Sequence, residues 1–392
     1  MNIRSRKKIV LLGMMAKMPV AGVVWQTMQY LVGFQRLGYD VYYVETHALT
    51  PSMFLDDIDH EGSEKVATFL DTVLRRFDLE DRWAFHALHS DSRNYGLSSV
   101  QLAQLYDSAR WIINLHGGTL PLPEHRATNR LIFLETDPVQ VQIELAEDNP
   151  QTIEFLDCHC AYFTFGENYG KPECRLPISE RYTFRPTRQP LVLDFWSAES
   201  TVPGPLFTTI GNWRQRQRKL FFGGECYTWS KHHEFLKFVD LPSRVEQGFE
   251  LALSSYEESD REMLLSKGWN VRHALDISTD LDDYRRYIER SRAEFTVAKD
   301  QNVRLKSGWF SDRSATYLAA GRPVVTQETG FSDLFPTGAG LFAFTVIDEA
   351  VAAVNAINAD YETQSRGAAS VAREFFDSDI VLSRLLADMG ET

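Results

Sequence analysis

Ionisable side chains follow apolar runs in the first half of the chain. Glu45, His116 and Asp137 each come at or just after the end of such a run. If the runs are parallel strands, their carboxyl ends meet at one edge of a sheet. An imidazole there could accept the proton of an attacking hydroxyl, because histidine titrates close to working pH. Asp137, Glu45 and His47 are rival bases, or partners that orient the imidazole, and a histidine that only hydrogen-bonds its own loop is the alternative.

A predicted helix in the C-terminal half has the features of an anion-binding site. Ser311 or Asp312 is a good N-cap, the run of small residues that follows predicts a short helix, and Gly321 is a typical stop. Free backbone N–H groups and the helix dipole attract an anion, which Arg313 and Arg322 could help to hold. The same cap, helix and glycine occur in any αβ unit of a doubly wound domain, so this alternative stays open.

Further side chains could bind hydroxyl groups or an anion. The strand after the helix ends in Gln327 and Glu328, whose amide and carboxylate could hold sugar hydroxyls. The negative charge of a bound diphosphate would need cations to stabilise it, and the candidates are Arg214, Lys299, Arg304 and Arg313. Ordinary surface charge is the alternative for each of them. Four tryptophans could stack on a base or sugar or belong to the core: Trp213, Trp229, Trp269 and Trp309.

These residues need two α/β domains to position them. Residues 8–12 and 40–45 predict strands on either side of a helix at 25–37, which is a βαβ unit with its working loops at the strand ends. Between 171 and 205 the sequence is rich in proline, as is typical of a linker, and the strand pattern restarts at 207–210. A chain of 392 residues with 44% hydrophobic content suits two such domains.

Composition narrows the function classes. A net charge of -13 disfavours general nucleic-acid binding, which needs clustered cations, but it does not exclude a nucleotide donor. No apolar run approaches the ~20 residues of a membrane helix, so we expect a cytoplasmic protein. The four cysteines are too few for a disulfide framework. Cys158, Cys160 and Cys174 lack the further ligands of a zinc site, so we expect no metal.

Several segments resemble GT-B glycosyltransferases. The motif Gly-Trp-x-Ser-Asp-Arg-Ser at 308–314, with Leu-Ala-Ala-Gly-Arg-Pro-Val-Val at 318–325 and Gln-Glu-Thr-Gly-Phe at 327–331, is similar to their donor-site helix and following strand. The opening at 13–22 and Gly-Asn-Trp at 211–213 are similar to a group of bacterial family-1-type glycosyltransferases of poorly defined substrate. The resemblance implies an α/β fold in which two Rossmann-like domains face each other across a cleft.

The resemblance also implies a division of labour. It predicts an acceptor-side domain at 1–200, a nucleotide-sugar donor domain at 201–375, and a C-terminal helix at 376–392 that packs back on the first domain. It implies that the acceptor-side loop contributes Lys17, Gly22 and Trp25. The donor site that it implies comprises Gly211, Asn212, Trp213, Arg214, Lys299, Ser311, Asp312, Arg313, Ser314, Gln327 and Glu328. No cofactor is expected beyond a nucleotide-sugar co-substrate, with a UDP, GDP or TDP carrier.

Two departures from the family pattern leave the reaction partly open. Thr316 stands where many members have a ribose-binding glutamate, and Gly308 and Thr316 occupy the positions of the paired glutamates of retaining members. Retaining or inverting stereochemistry therefore cannot be assigned. The sugar, the oligomeric state and the acceptor also stay open, with a small molecule, a lipid-linked sugar or a natural product as candidate acceptors.

Three functions other than glycosyl transfer are alternatives for this sequence. A sugar-nucleotide epimerase or hydrolase would use the same donor pocket without an acceptor. A non-catalytic nucleotide-sugar binding protein is suggested by the missing glutamates. A Rossmann oxidoreductase is disfavoured, because no Gly-x-Gly-x-x-Gly follows the first strand.

Overall fold

The chain forms two separate sheets flanked by helices. The computed structural model describes residues 6–49, 62–197, 201–215 and 219–391. The first sheet has eight strands in the order β4-β3-β2-β1-β5-β6-β7-β8, and the second has six in the order β13-β12-β9-β14-β15-β16. All neighbouring strands are parallel except β3 and β4. The predicted arrangement of two Rossmann-like sheets is confirmed.

Helices separate many, though not all, of the consecutive strands. The strands of the first sheet are β1 (Lys8–Leu12), β2 (Asp40–Glu45), β3 (Trp83–His86), β4 (Asn94–Gly96), β5 (Ala109–Leu115), β6 (Leu131–Glu135), β7 (Ala161–Thr164) and β8 (Phe184–Pro186). Those that follow are β9 (Leu206–Asn212), the hairpin strands β10 (Lys219–Phe222) and β11 (Glu225–Thr228), β12 (Gly248–Ser254), β13 (Trp269–His273), β14 (Ala293–Thr296), β15 (Val324–Gln327) and β16 (Leu341–Phe344).

Helices cover both sheets. Those before β9 are α1 (Ala21–Arg36), α2 (Gly62–Arg75), α3 (Ser99–Ser108), α4 (Pro123–Arg126), α5 (Gln140–Ala146) and α6 (Pro150–Asp157). Those after it are α7 (His232–Leu236), α8 (Glu258–Ser266), α9 (Leu275–Ser278), α10 (Leu281–Arg290), α11 (Asp300–Leu305), α12 (Asp312–Ala319), α13 (Ile347–Ala359), α14 (Tyr361–Phe375) and α15 (Ser378–Asp388). Within the described ranges, no helix has both the length and the apolarity needed to cross a membrane.

The opening βαβ unit shows how the sequence sets the site. β1 is apolar and almost fully buried, and it lies between β2 and β5. α1 ends where Gly38 takes the left-handed conformation (φ +89°), which glycine adopts without a steric penalty. The loops at the carboxyl ends of β1, β2 and β5 therefore lie side by side at one edge of the sheet.

The last helix returns to the first sheet. Leu382 of α15 packs so closely on α1 that a Cβ on Gly33 would lie 2.5 Å from its Cδ1. Beyond α15, the buried carboxylate of Glu391 binds Lys7 and Trp111. The predicted domain boundary at 200 falls within 198–200, outside the described residues, and the two sheets lie on either side of it.

The two α/β layers also contact each other on both flanks of the cleft. Side chains from one layer donate to backbone carbonyls of the other. These hydrogen bonds join Trp25 Nε1 to Leu281 O (3.1 Å), Trp309 Nε1 to Thr136 O (3.1 Å) and Asn168 Nδ2 to Gly330 O (3.0 Å). The carboxyl edges of the two sheets therefore face a shared space.

Candidate functional site

A cavity of about 360 Å³ lies in that shared space. The start of α1 and the loop before it contribute Met18, Gly22 and Gln26. The second layer contributes the ends of β9 and β12 and the start of α12, together with residues between them. Its polar lining residues include Asn212, Ser254, Lys231, Lys299, Asp312 and Arg313. The cavity thus combines three cationic side chains with a helix N-terminus.

Lys231 is the cation in this cavity that the sequence reasoning missed. Its ammonium lies 5.9 Å from the centre of the Trp309 ring and makes no hydrogen bond or ion pair with any described residue. Burial, together with the positive charges of Arg313 and Lys299, lowers the pKa of Lys231 to about 7. A partly buried ammonium without an ion pair is unfavourable, and an anionic ligand would remove that cost. Lys231 is therefore well suited to bind a phosphate group.

A local signal for Lys231 was available in the sequence. The residue lies at the N-cap of α7, directly after Trp229 and Ser230, and Trp229 also lines the cavity. A cation at a helix start, after the first loop of the second α/β layer, is the pattern to look for.

Arg313 begins α12 as expected, but its guanidinium is directed into the protein. Nε donates to Glu294 Oε1 (2.6 Å), Nη2 donates to Thr296 Oγ1 (2.9 Å), and Nη1 donates to the carbonyl of Ile210. The Glu294 side chain has 0% exposure. A contact between the Arg313 guanidinium and a bound anion would have to compete with this buried ion pair. Arg313 forms part of the cavity wall and neutralises a buried carboxylate.

Several predicted donor-site residues do not line the cavity. Trp213 is fully buried in the core, and Arg214 makes two hydrogen bonds to Asp260 (2.7 and 2.6 Å). Ser314 is buried on α12. The Gln327 amide donates to Glu234 (2.6 Å) and accepts from Ala298 N (3.2 Å). The remaining predicted cation and carboxylate are also engaged: Arg304 contacts Asp300 and the hairpin, and Glu328 accepts from Gly330 N.

Other predicted donor-side residues do line the cavity. Gly211, Asn212 and Lys299 contribute to its wall, as do Asp312 and Arg313. Ser311 is the N-cap of α12, but its side chain makes no capping hydrogen bond. The helix therefore begins at the cavity with its first backbone N–H groups uncapped by that hydroxyl. Trp269 proves to be core and Trp229 lines the cavity.

His116 lies at the carboxyl end of β5 in a strained backbone conformation. Its φ is +63°, and Gly117 after it also has φ +63°. A positive φ is uncommon for a residue with a side chain and is often found at functional sites. Nδ1 is 2.7 Å from Thr136 Oγ1, while the buried Nε2 has no partner among the described residues. His47 accepts from Leu120 N (2.9 Å) in the same loop, so it helps to hold that loop.

Two of the candidate catalytic residues, His116 and Asp137, lie close enough for the charge of one to affect the other. Burial lowers the pKa of His116 to about 4, and the nearby charge of Asp137 acts in the opposite direction. The histidine is therefore neutral near pH 7. If Nδ1 carries the proton and donates to Thr136, the unpartnered Nε2 has a lone pair for an incoming proton.

Asp137 is bound across the cleft. Its Oδ2 accepts from Trp229 Nε1 (2.8 Å) and from the ammonium of Lys299, both of which line the cavity. Lys299 in turn lies 5.2 Å from the centre of the Trp229 ring. One carboxylate from the first layer therefore holds two cavity residues of the second.

Glu45, a predicted catalytic carboxylate, instead holds the acceptor-side loop. It is 1% exposed and accepts from Ala16 N (2.9 Å), Lys17 N (2.8 Å) and Tyr43 Oη (2.6 Å). Burial raises the pKa of Glu45 to about 7, although these hydrogen bonds act in the opposite direction. A carboxylate with three internal donors is a structural group, so the catalytic role predicted for it has no support here.

The three predicted acceptor-side residues lie in different surroundings. Gly22 lines the cavity, and a Cβ there would meet the Tyr284 hydroxyl at 3.4 Å. Trp25, by contrast, is 3% exposed and packs on Phe77 and Trp196. It therefore belongs to the aromatic core between the layers, contrary to its predicted place in the acceptor site. The Lys17 side chain is exposed at the rim.

The described part of the chain contains neither a disulfide nor a cluster of metal-ligating side chains. All four cysteines there are free thiols. No group of three or more His, Cys, Asp or Glu side chains in that part is arranged to hold a metal ion.

Comparisons with known proteins agree with this geometry. Residues 214–387 match the model of the family described as glycosyl transferase-like. The search of curated protein sequences found no match. Among solved structures, an alpha-glucosyltransferase in complex with UDP and a 13-mer DNA containing a central A:G mismatch is similar, with 10% identity, TM-score 0.62, and coverage of 99% of this chain and 100% of that one.

Two further structures have the same fold. Anabaena HepE in complex with UDP and glucose has 10% identity and TM-score 0.54, with coverage of 98% of this chain and 100% of that one. Sucrose-phosphate synthase from Thermosynechococcus elongatus has 12% identity and TM-score 0.54, with coverage of 98% and 99%. The glycosyl transferase-like family model therefore matches the second part of the chain, and these likenesses, with the paired Rossmann-like layers, show that the chain has the GT-B fold.

Proposed function

We propose that this protein transfers a sugar from a nucleoside diphosphate to a hydroxyl acceptor, with the diphosphate bound beside Lys231. The observation that carries the proposal is the partly buried ammonium of Lys231, which faces the cavity and has no ion pair among the described residues. A charge-assisted contact of this kind is worth roughly 1.5 to 3 kcal/mol. The first backbone N–H groups of α12 lie on the same cavity and supply further donors.

These groups suit the chemistry of sugar transfer. As the bond from the anomeric carbon to the diphosphate oxygen breaks, the electron pair leaves with the diphosphate and its charge grows. Lys231 and the helix N-terminus stabilise that charge without having to reorganise. Lys299 carries a second ammonium into the cavity, where Asp137 holds it.

The nucleoside fits the far end of the cavity. The wall there is formed by the small or apolar residues Ser254, Ala274, Leu275 and Ser278, with the Tyr284 ring beside them. No lining residue in that set carries a charge, as a neutral base requires. Because two of the similar structures contain UDP, we take UDP as the first donor carrier to test, ahead of GDP and TDP.

The acceptor approaches from the first layer. In this proposal the hydroxyl oxygen forms the new bond to the anomeric carbon. His116 Nε2, which is buried and does not line the cavity, accepts the hydroxyl proton once the acceptor reaches it. The acceptor class stays open between a small molecule, a lipid-linked sugar and a natural product. The expectation that nucleic acid is no partner also stays a prediction, because one similar structure holds DNA.

Calorimetric titration with UDP tests the donor site. We expect Lys231→Ala to raise the UDP dissociation constant about ten- to a hundredfold. Lys267→Ala is the matched control, because that lysine belongs to the same α/β layer but pairs with Asp240 on the surface. Equal affinity of wild type and Lys231→Ala for UDP, GDP and TDP would remove Lys231 from the site.

Product analysis then tests the reaction. Wild type is incubated with UDP-sugars, with and without an acceptor panel, and UDP release is measured. Release that depends on an acceptor supports glycosyl transfer. Release without any acceptor would identify a hydrolase instead, and tight binding without release over the whole panel would indicate a binding protein.

A further inference from the structure

We propose that the hairpin formed by β10 and β11 is a positioning element, which docks on the first α/β layer and thereby holds Trp229 and Lys231 in the donor cavity. The inference rests on the proposed function for the identity of the ligand. It concerns a part of the chain that the sequence did not predict. The catalytic groups themselves lie outside the hairpin.

The hairpin has two faces with different surroundings. Leu220 and Phe222 face inward, whereas Phe221 between them is 66% exposed. The turn is Gly223-Gly224 with φ of +59° and +79°, which a tight two-residue turn requires of both positions. The alternation therefore gives one apolar face and one solvent face.

The inward face crosses to the first layer. Leu220 and Phe222 pack against a cluster that contains Val139, Ile143 and Leu176, all residues of the first half of the chain. β10 accordingly lies against α5, which follows the catalytic edge of the first sheet. An apolar contact of this kind favours the arrangement in which the two layers are closed on the cavity.

The other strand of the hairpin is fixed to the second layer. Tyr227 is buried in the same cluster, and the Arg304 guanidinium lies 4.1 Å from the centre of its ring. Arg304 also donates to Cys226 O (3.0 Å), and Thr228 N donates to Asp300 (3.1 Å). Arg304 thus holds the hairpin on α11. This is the contact that the structure shows for Arg304, which was predicted to bind the diphosphate.

The chain passes directly from the hairpin into the cavity. Trp229 follows β11 and donates to Asp137 (2.8 Å), and Lys231 is two residues further on. Position 231 is therefore connected to the first layer by the hairpin cluster and by Asp137. A weaker hairpin contact would let the ammonium move away from the place where the diphosphate binds.

A pair of substitutions on adjacent residues tests the proposal. Phe222→Ser removes an inward side chain, and Phe221→Ser removes the same ring from the solvent face as a matched control. We expect Phe222→Ser to raise the UDP dissociation constant about five- to twentyfold, because fewer molecules are in the binding-competent arrangement. Phe221→Ser should stay within about twofold of wild type. Leu220→Ala is a milder inward variant in case Phe222→Ser does not fold, which thermal melting reveals.

A double-mutant cycle asks whether the hairpin acts through Lys231. If it does, Phe222→Ser should weaken UDP binding about five- to twentyfold in wild type but less than about twofold in Lys231→Ala. Equal losses in both backgrounds would overturn the role assigned to Lys231. Equal affinity of Phe222→Ser, Leu220→Ala and wild type would overturn the inference altogether. Loss of UDP binding in Lys231→Ala with no hairpin effect would leave the proposed function standing, whereas wild type that binds no nucleoside diphosphate would remove the proposed function itself.

Discussion

The loops at the carboxyl ends of the two sheets, here called the two rims, use their charged residues in parallel ways. On the first rim, Glu45 is directed into its own loop, while His116 keeps an unpartnered ring nitrogen. On the second, Arg313 is directed into the sheet, while Lys231 keeps its ammonium in the cavity. Each rim thus has one ionisable group that maintains the fold and one with a nitrogen that makes no hydrogen bond to a described residue.

The rims differ in what the inward group does. Glu45 accepts backbone N–H groups and sets the shape of a loop. Arg313 neutralises the Glu294 carboxylate, which would otherwise be buried without a partner. Position at the end of a strand or the start of a helix therefore does not distinguish a substrate contact from a fold contact, and only the partners of each side chain do.

The largest effect is expected at His116. His116→Ala should lower the rate of sugar transfer by a factor on the order of 10² to 10⁴, the usual size of general base catalysis. UDP affinity should change by less than about twofold, because the imidazole meets the acceptor and not the diphosphate. Steady-state kinetics and calorimetry measure the two quantities. Unchanged turnover would leave His116 as a loop residue and end the parallel between the rims.

Arg313 should affect stability more than binding. Arg313→Ala leaves the buried Glu294 carboxylate without its ion pair, so we expect the free energy of unfolding to fall by about 3 to 5 kcal/mol. Arg244→Ala breaks an exposed pair with Asp348 and should cost less than about 1 kcal/mol. Urea denaturation measures both. A stable Arg313→Ala protein that binds UDP poorly would restore the original prediction of a diphosphate contact.

The smallest effect is a pH dependence of donor affinity. The pKa of Lys231 is lowered to about 7 in the ligand-free protein, and a bound diphosphate favours the charged form, which raises it. Affinity for UDP-glucose should therefore be constant below pH 7 and fall above it by at most about tenfold per pH unit. Lys231→Arg should remove this fall, because a guanidinium stays charged. Parallel profiles of the two proteins from about pH 6 to 9 would assign the titration to another group.

The fold was largely accessible from local sequence patterns. The helix start at Ser311, the stop near Gly321 and the strand before Gln327 were predicted from caps and apolar runs, and all three are present. What could not be predicted was the destination of each side chain. Arg313 of α12 is held by Glu294, which lies 19 residues earlier on β14, and Trp25 is buried by residues more than 50 positions away.

The hairpin is a second feature that local sequence patterns could not predict. Its strands are short, and their inward apolar residues are covered because a helix of the other layer packs on them. Lys231 is important because of where that hairpin ends. Neither fact has a local signature, since both arise from contacts between segments far apart in sequence.

The return of α15 to the first sheet has a consequence for synthesis on the ribosome. Leu382, Leu385 and Leu386 complete the core around α1, although they are made some 350 residues later. The segment between, from β9 to β16, forms its own sheet from contiguous chain. Domains generally fold as units in the order in which they emerge. Here the layer whose strands emerge first is completed only after the other sheet has been made, so the surface of α1 stays uncovered until α15 has been synthesised.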